Sequence, residues 1–340
     1  MSATMAIDRD SLTSQGRLVH LVHTRQLSRT LLEQMFEVAD EARRLNTSRP
    51  GAMYLRECLV GRLALLYFVQ PSTRTFLSFQ AAASVLGMST AEVRSREISS
   101  EMKGESALDS VRTFAMYHDL IVIRYPEPGF SEACARMFVE FDLRRHVING
   151  GSGPDDHPTQ ALLDLYTLHR EFYNRGGVDG KRVLVVGDLA RGRAVRSFLH
   201  LLARFDDVKV DLVAPDQLRL GPDVRALVDE GFVEVREDNE IEKFLPDADA
   251  VYMTRVQSEY DAEDADVPAD VRAYALSEER VAMMRPNAVI MHPLPRQAEI
   301  PVSLDRDPRS RYWDQVENGM WARVGLIAHM LGCDARIKAA

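Results

Sequence analysis

The stretch Gln70-Pro71-Ser72-Thr73-Arg74-Thr75-Phe76-Leu77-Ser78-Phe79-Gln80 sets three hydroxyls and a guanidinium on one turn. It follows an apolar run, Leu63 to Val69, that reads as a buried strand. It opens a segment over 72–87 with helical spacing through Phe79, Ala82, Ala83 and Leu86. The first backbone N–H groups of a helix lack internal partners and the macrodipole is positive there, so such a turn suits a phosphate. A plain N-cap at Ser72 or Thr73 is the simpler alternative. It accounts for one hydroxyl and leaves the arginine between two threonines unexplained.

Other polar groups recur where apolar runs end. Leu120-Ile121-Val122-Ile123-Arg124 reads as a buried parallel strand with a charge at its carboxyl end, the end at which open α/β sheets bind ligands. After the glycine-rich Asn149-Gly150-Gly151-Ser152-Gly153-Pro154 comes His157-Pro158-Thr159-Gln160 at a helix start. His157 and Gln160 share a face one turn apart, where they suit polarising a carbonyl and binding an amide. A satisfied helix-start histidine is the bland alternative.

The turn Gly187-Asp188-Leu189-Ala190-Arg191-Gly192-Arg193 lacks the glycines of a dinucleotide fingerprint and instead sets arginines beside a helix start. Met253-Thr254-Arg255-Val256-Gln257 ends another strand with a guanidinium and an amide, suited to clamping a carboxylate or to an interdomain salt bridge. In His292-Pro293-Leu294-Pro295-Arg296 two prolines fix the backbone and leave carbonyls without ladder partners, so these can accept from an ammonium or amide. A stiff turn would have the same sequence. No His/Cys/Asp/Glu cluster has metal spacing and no Ser/His/Asp set suggests a covalent nucleophile. Direct transfer in a water-poor cleft is the chemistry that remains, and no cofactor is expected.

The elements that must hold these groups alternate. A helix begins after Ser28 and ends near Asn46, strand 61–69 and helix 72–87 follow, and a polar segment over 95–105 precedes a helix to Tyr117. Strand 120–124, helix 130–141 and strand 146–148 complete the first set. After Gly176-Gly177 the pattern restarts with strands at 182–186, 208–213, 250–253 and 288–291, helices to Arg204 and over 224–230, and a closing helix over about 315–331. Strands alternating with helices twice over predict an α/β chain of two doubly wound parallel-sheet domains linked by helices.

Two domains also suit 340 residues. A formal charge of −9 argues against nucleic acid and anionic membrane surfaces as partners, and leaves any anionic substrate to locally gathered arginines. Cys58, Cys134 and Cys333 are too few and scattered for a disulfide framework, which fits a reducing cytoplasm. Met1 to Gln15 is polar, without the apolar core of a signal peptide, and reads as a loose tail; no run approaches a membrane span.

Taken together, Ser72-Thr73-Arg74-Thr75, Lys103-Gly104-Glu105, Arg124, His157-Pro158-Thr159-Gln160, Arg193, Arg255-Val256-Gln257 and His292-Pro293-Leu294-Pro295 resemble the aspartate/ornithine carbamoyltransferase family from about residue 17 to 333. The Thr-Arg-Val-Gln and His-Pro-Leu-Pro-Arg segments look like its aspartate branch; the His-Cys-Leu-Pro segment of ornithine enzymes is absent.

The resemblance implies transfer of a carbamoyl group from carbamoyl phosphate to the amine of L-aspartate, a step of pyrimidine biosynthesis. It implies a tail over 1–16, a carbamoyl phosphate domain over 17–157 with the helix at about 315–333 packing back on it, a linking helix over 158–175, and an amino-acid domain over 176–314. By similarity Ser72, Thr73, Arg74 and Thr75 hold the phosphate, and Thr75, Arg124 and His157 polarise the carbonyl. Gln160 and the Leu294 carbonyl, beside Pro295, hold the carbamoyl NH2. Arg193, Arg255 and Gln257 grip the aspartate carboxylates. Ser99 and Lys103 join the substrate site from the polar segment, with Lys103 lent by a neighbouring subunit, because the family works as a trimer; regulatory chains are a further possible partner.

The chain also departs from the family's pattern. Asn149-Gly150-Gly151-Ser152-Gly153 stands for Asn-Ala-Gly-Asp-Gly, Glu101-Met102 precede Lys103, Ala194 replaces a common threonine and Phe76 a frequent arginine. These changes touch the acceptor groups more than the donor groups. They leave a carbamoyltransferase for another amine, or a non-catalytic ligand-binding relative, as alternatives.

Overall fold

The computed structural model describes residues 16–95, 104–153, 156–255 and 274–340. The expected tail therefore lies almost wholly outside the described residues, as do Ser99, Lys103 and Gln257. The chain divides into two compact units, residues 1–162 with 319–340, and residues 163–318.

In the first unit, helix α1 (Arg29–Leu45) is amphipathic, with Leu31, Leu32, Met35, Phe36 and Ala39 buried, and starts at Ser28, whose hydroxyl accepts from the Leu31 N–H. A short helix, α2 (Arg49–Arg56), leads to strand β1 (Leu63–Phe68), helix α3 (Thr73–Val85) and strand β2 (Ser89–Val93). Helix α4 (Ala107–Ala115), strand β3 (Leu120–Arg124), helix α5 (Phe130–Glu140) and strand β4 (His146–Asn149) complete the alternation. The four strands pair in the order β2-β1-β3-β4, all parallel. β3 is buried along its whole length, Arg124 included, as a central strand covered on both faces must be.

Helix α6 (Pro158–Phe172) carries the chain into the second unit. There strand β5 (Arg182–Val186), helix α7 (Arg193–Leu202), strand β6 (Lys209–Val213), helix α8 (Pro222–Gly231) and strand β7 (Glu234–Asp238) run in sequence. Strand β8 (Ala250–Met253), helix α9 (Glu278–Met283) and strand β9 (Val289–Met291) follow. The strands form a parallel sheet in the order β7-β6-β5-β8-β9. Its core gathers Leu184, Val186, Val251, Met253 and Ile290 around Phe244, Leu276 and Tyr312.

Helix α10 (Tyr312–Leu331) returns to the first unit from Gly319 onward. There the buried Arg323 donates to the Ser78 hydroxyl (3.0 Å) and to the Gly319 carbonyl (2.8 Å). A Cβ at Gly325 would fall 2.3 Å from the Met35 carbonyl oxygen, so glycine permits α10 to lie directly on α1. A final helix, α11 (Asp334–Lys338), closes the chain. The two doubly wound parallel sheets are thus as expected. The alternating pattern missed β2, β7, α2, α9 and α11.

Candidate active site

Each sheet has one point where strand order reverses. In the first it lies between β1 and β3, and in the second between β5 and β8. Crossovers leave such a point in opposite directions, which opens a crevice at the strands' carboxyl ends. Those of the residues singled out from sequence that are described follow these four strands, along with β4 and β9.

In the first unit Phe68 pairs in register with Arg124, and the Gln70 N–H donates to the Arg124 carbonyl (3.1 Å). The Ser72–Thr75 turn therefore begins bonded to the end of β3. Ser72 is the N-cap of α3 in extended backbone, yet its side chain makes no capping bond. Four other serines at helix starts, Ser28, Ser48, Ser106 and Ser277, all do accept such a bond. The simple capping account thus fails at the one helix start that also carries Thr73, Arg74 and Thr75. Thr75 is buried; Thr73 and Arg74 are exposed on the same first turn.

Arg124 is itself buried and donates through Nη1 to the Gly150 carbonyl (3.2 Å). Gly151, at φ +98°, lies where a Cβ would come within 2.6 Å of Arg124 Nη1 and 2.7 Å of His157 Nε2. Arg124 and His157 accordingly flank one backbone position, although 33 residues of chain separate them. Around them the loop is fixed by its own polar groups. Asn149 Oδ1 accepts from the N–H groups of Gly151 and Ser152, both at 2.8 Å, while its amide donates to the Val22 carbonyl. Ser152 donates to the Ile123 carbonyl and accepts from the Tyr125 N–H. It is buried, and knits the end of β3 to the loop.

His157 is buried and its carbonyl accepts from the Gln160 N–H (2.9 Å), which starts α6 and leaves Gln160 half-buried one turn on. Beside it, the buried Thr159 hydroxyl oxygen has no hydrogen-bond partner.

In the second unit Val186 pairs with Met253, so the turns after β5 and β8 are neighbours. Gly187, at φ +121°, would place a Cβ 2.3 Å from the Thr254 carbonyl oxygen; only glycine permits this approach. Thr254 in turn donates through N–H and hydroxyl to the Val186 carbonyl. Arg193 opens α7 and Arg255 follows Thr254, both half-buried. Arg191 is occupied inside its turn by the fully buried Asp188, which accepts from its Nε at 2.8 Å and its N–H at 3.0 Å. Ala194 is half-buried at the second position of α7.

The turn after β9 rests on a polar network that sequence reasoning missed. Leu294 takes φ +54°, a region L-residues seldom occupy, and its bond to Pro295 is cis. Its N–H donates to His292 Nδ1 (2.8 Å), so that nitrogen carries the lone pair and the proton sits on Nε2, which donates to Glu299 Oε1 (2.8 Å). Glu299 is buried; burial pushes its carboxyl up, but the hydrogen bonds from His292 and the Gln297 N–H outweigh this and hold it below its ordinary value. The His292 N–H donates to Gln315, whose amide donates to the buried Asp164 (2.5 Å), which also accepts from Tyr252 Oη (2.7 Å). Leu294 is held in place by groups spread over 151 residues of sequence.

Known proteins bear on both units. The family model described as "Aspartate/ornithine carbamoyltransferase, carbamoyl-P binding domain" matches residues 19–170, and that described as "Aspartate/ornithine carbamoyltransferase, Asp/Orn binding domain" matches residues 179–330. The chain is 38% identical over 317 residues to the chloroplastic aspartate carbamoyltransferase of Arabidopsis thaliana, covering 92% of this chain and 78% of that protein. Among solved structures, it is similar to the catalytic subunit of M. jannaschii aspartate transcarbamoylase (TM-score 0.81, 32% identity, 93% of this chain and 99% of that one). It is also similar to Trypanosoma cruzi aspartate transcarbamoylase in complex with carbamoyl phosphate and aspartate (TM-score 0.79, 31% identity, 91% and 95%).

The chloroplastic relative overturns the expectation of a cytoplasmic protein. Few cysteines speak of reducing conditions, which more than one compartment offers, and so they do not assign one. With both family domains matched in order along its length, the chain belongs to the aspartate/ornithine carbamoyltransferase family.

Proposed function

We infer that this chain transfers the carbamoyl group of carbamoyl phosphate to the amine of L-aspartate, giving N-carbamoyl-L-aspartate and phosphate, as in pyrimidine biosynthesis. The observation that carries the inference is the meeting of Arg124 and His157 at Gly151, beside a helix start whose Ser72 is not spent on capping. The relative bound to carbamoyl phosphate and aspartate supports the choice of substrates.

In this reading the amine nitrogen attacks the carbonyl carbon, and negative charge builds on the carbonyl oxygen. Thr75, Arg124 and His157 stabilise it there. The C–O bond to phosphate then breaks, the proton that the attacking amine gives up passes to the departing phosphate, and Ser72, Thr73 and Arg74 at the N-terminus of α3 take up the resulting dianion. Donors fixed before the reaction need no reorganisation as charge develops, and each well-placed one is worth on the order of 3 kcal/mol. Gln160 and the Leu294 carbonyl orient the carbamoyl NH2, so that the carbonyl oxygen faces Arg124. Arg193, Arg255 and Gln257 hold the two carboxylates of aspartate, with the bidentate geometry that guanidinium favours. Ser99 and Lys103 complete the donor side, Lys103 coming from a neighbouring subunit of a homotrimer, to which regulatory chains could add.

Phosphate release in the presence of carbamoyl phosphate and L-aspartate tests the reaction; background release from folded protein would reject it. Running the same assay across a panel of amines tests the acceptor, and preference for an amine other than L-aspartate would move the specificity to the alternative raised by Ala194. Sedimentation of the purified chain tests the trimer, and a monomer that turns over at full rate would remove Lys103 from the proposed site.

A further inference from the structure

The chain has three cysteines, and two of them, 275 residues apart, meet in the first unit. Cys58 follows α2 and is half-buried; Cys333 is the buried N-cap of α11. Their side chains hydrogen-bond to each other. The contact is braced on both sides by the elements that carry it. Tyr54 Oη donates to the Arg336 carbonyl (2.9 Å), Arg336 Nη1 donates to the Glu57 carbonyl (3.1 Å), and the Arg336 guanidinium lies 5.0 Å from the centre of the Tyr54 ring. Such bracing is what places two sulfurs of a folded chain within reach of a bond, since a disulfide demands a narrow Cα and Cβ separation.

We propose that Cys58 and Cys333 form a reversible redox site, oxidised by small-molecule disulfides to a bond that staples the end of α2 to the C-terminal helix. The third cysteine, Cys134, is buried in the apolar core, where burial pushes its thiol above the ordinary range. It serves as an internal control. Cys58 differs from it. The hydrogen bond from Cys333 and the charge of Arg336 outweigh partial burial and the charge of Glu57 and bring its thiol below the ordinary range. As a thiol it donates to the Tyr54 carbonyl (3.5 Å), and as a thiolate it accepts from Cys333.

The exchange balances in two steps. The Cys58 thiolate attacks one sulfur of the small disulfide, forming a mixed disulfide and expelling one thiolate. Cys333 had been held protonated by its hydrogen bond to Cys58, by burial and by the Cys58 charge. With that charge consumed, Cys333 gives up its proton and attacks Cys58 Sγ, and the second small thiolate leaves. Two protein thiols and one disulfide become one protein disulfide and two small thiols.

The test incubates the full-length chain with oxidised glutathione at neutral pH and maps its peptides without reduction. A peptide linking Cys58 to Cys333, a mass lower by about 2 Da, an untouched Cys134, a Tm raised by several degrees and full reversal by dithiothreitol are expected. Cys333→Ser should stop at the first step and keep glutathione on Cys58. Cys58→Ser should leave Cys333 unreactive in folded protein, and Cys58→Ala serves if the serine variant does not fold. Both variants should retain wild-type carbamoyl transfer when reduced. A glutathione adduct persisting on Cys58 of the unmodified sequence, or no reaction of either thiol, would overturn the proposal.

Discussion

The two crevices reach the same strand-end position by different means. In the first unit a mobile cation is made rigid by backbone: Arg124 donates to the Gly150 carbonyl, and Gly151 keeps it against His157. In the second unit a backbone carbonyl is made rigid by side chains: His292, Glu299 and Gln315 hold the turn that presents Leu294. In the proposed reaction the difference follows what each side would bind. A phosphate and a developing oxyanion need positive charge and N–H donors that do not reorganise. An NH2 group needs an acceptor, and a carbonyl at an unusual φ stays put only when buried polar partners over-determine it.

This contrast predicts a division of effects. Arg124→Ala should lower kcat about 10³-fold, because it removes a donor to the charge that develops. Arg255→Ala should instead raise KM for L-aspartate by about one to two orders of magnitude while sparing KM for carbamoyl phosphate, since it removes a ground-state clamp. Steady-state kinetics with each substrate varied in turn separates the two. An Arg255→Ala enzyme impaired toward carbamoyl phosphate would erase the distinction between the crevices.

A matched pair of glycine substitutions sharpens it. In Gly151→Ala the new Cβ would fall 2.6 Å from a guanidinium nitrogen and 2.7 Å from an imidazole, both of which can shift at the expense of their alignment. A loss of about 10²-fold in kcat with a modest loss of stability is expected. In Gly187→Ala the Cβ meets the Thr254 backbone oxygen at 2.3 Å, which can move only by parting β5 from β8. That variant should lose more stability than the first, read by denaturant unfolding of both.

Much of this arrangement was legible in the sequence. Apolar runs that stop at a charge or hydroxyl, at Arg124, Thr254 and Arg255, Ser72 to Thr75, give both the strand and the end that faces ligand. Two of the four edge strands, β7 and β2, were not. Glu234-Val235-Arg236-Glu237-Asp238 carries a strand without an apolar run because its side chains pair with Arg182, Arg225 and Asp211 and not with a core. Ser89–Val93 is largely exposed, and so lacks the apolar signal too. The Leu294 network escaped notice because Glu299, Gln315 and Asp164 read as surface residues one at a time; only the fold buries them together. In the 187–193 turn both arginines looked available, whereas Asp188 engages Arg191.

Acid should also tell the units apart. Burial, aided by the nearby His146, lowers His20 of the first unit to about 3 from an ordinary 6.5, and its Nδ1 accepts from the Val147 N–H. The folded state therefore holds the neutral ring while the unfolded chain takes up a proton between those values. Stability from this group is complete above pH 6.5 and is lost as pH falls toward 3, at up to about 1.4 kcal/mol per pH unit. Glu299 of the second unit, lowered from 4.5, keeps its contribution until pH falls below that value. His20→Asn should be less stable at pH 7 but flatter in its pH dependence between 6.5 and 4.5, a window in which Glu299→Gln should leave the slope unchanged. Denaturation curves across pH check both.

The smallest expected effect bears on the most specific feature of the first crevice. Ser28 and Ser72 both stand at the N-cap of a helix of more than a dozen residues, so propensity alone would give their truncation the same cost. Only Ser28 accepts a backbone N–H, from Leu31 at 3.2 Å. Ser28→Ala should therefore cost about 1 kcal/mol of stability and leave turnover alone. Ser72→Ala should leave stability within about 0.5 kcal/mol, because there is no cap to lose, and weaken carbamoyl phosphate binding several-fold through the missing hydroxyl. If Ser72→Ala proved as destabilising as Ser28→Ala with unchanged affinity, the hydroxyl would be a cap after all. The anion site would then rest on Arg74, Thr75 and the helix end alone, and the first crevice would resemble the second in relying on a few side chains more than on a whole prepared turn.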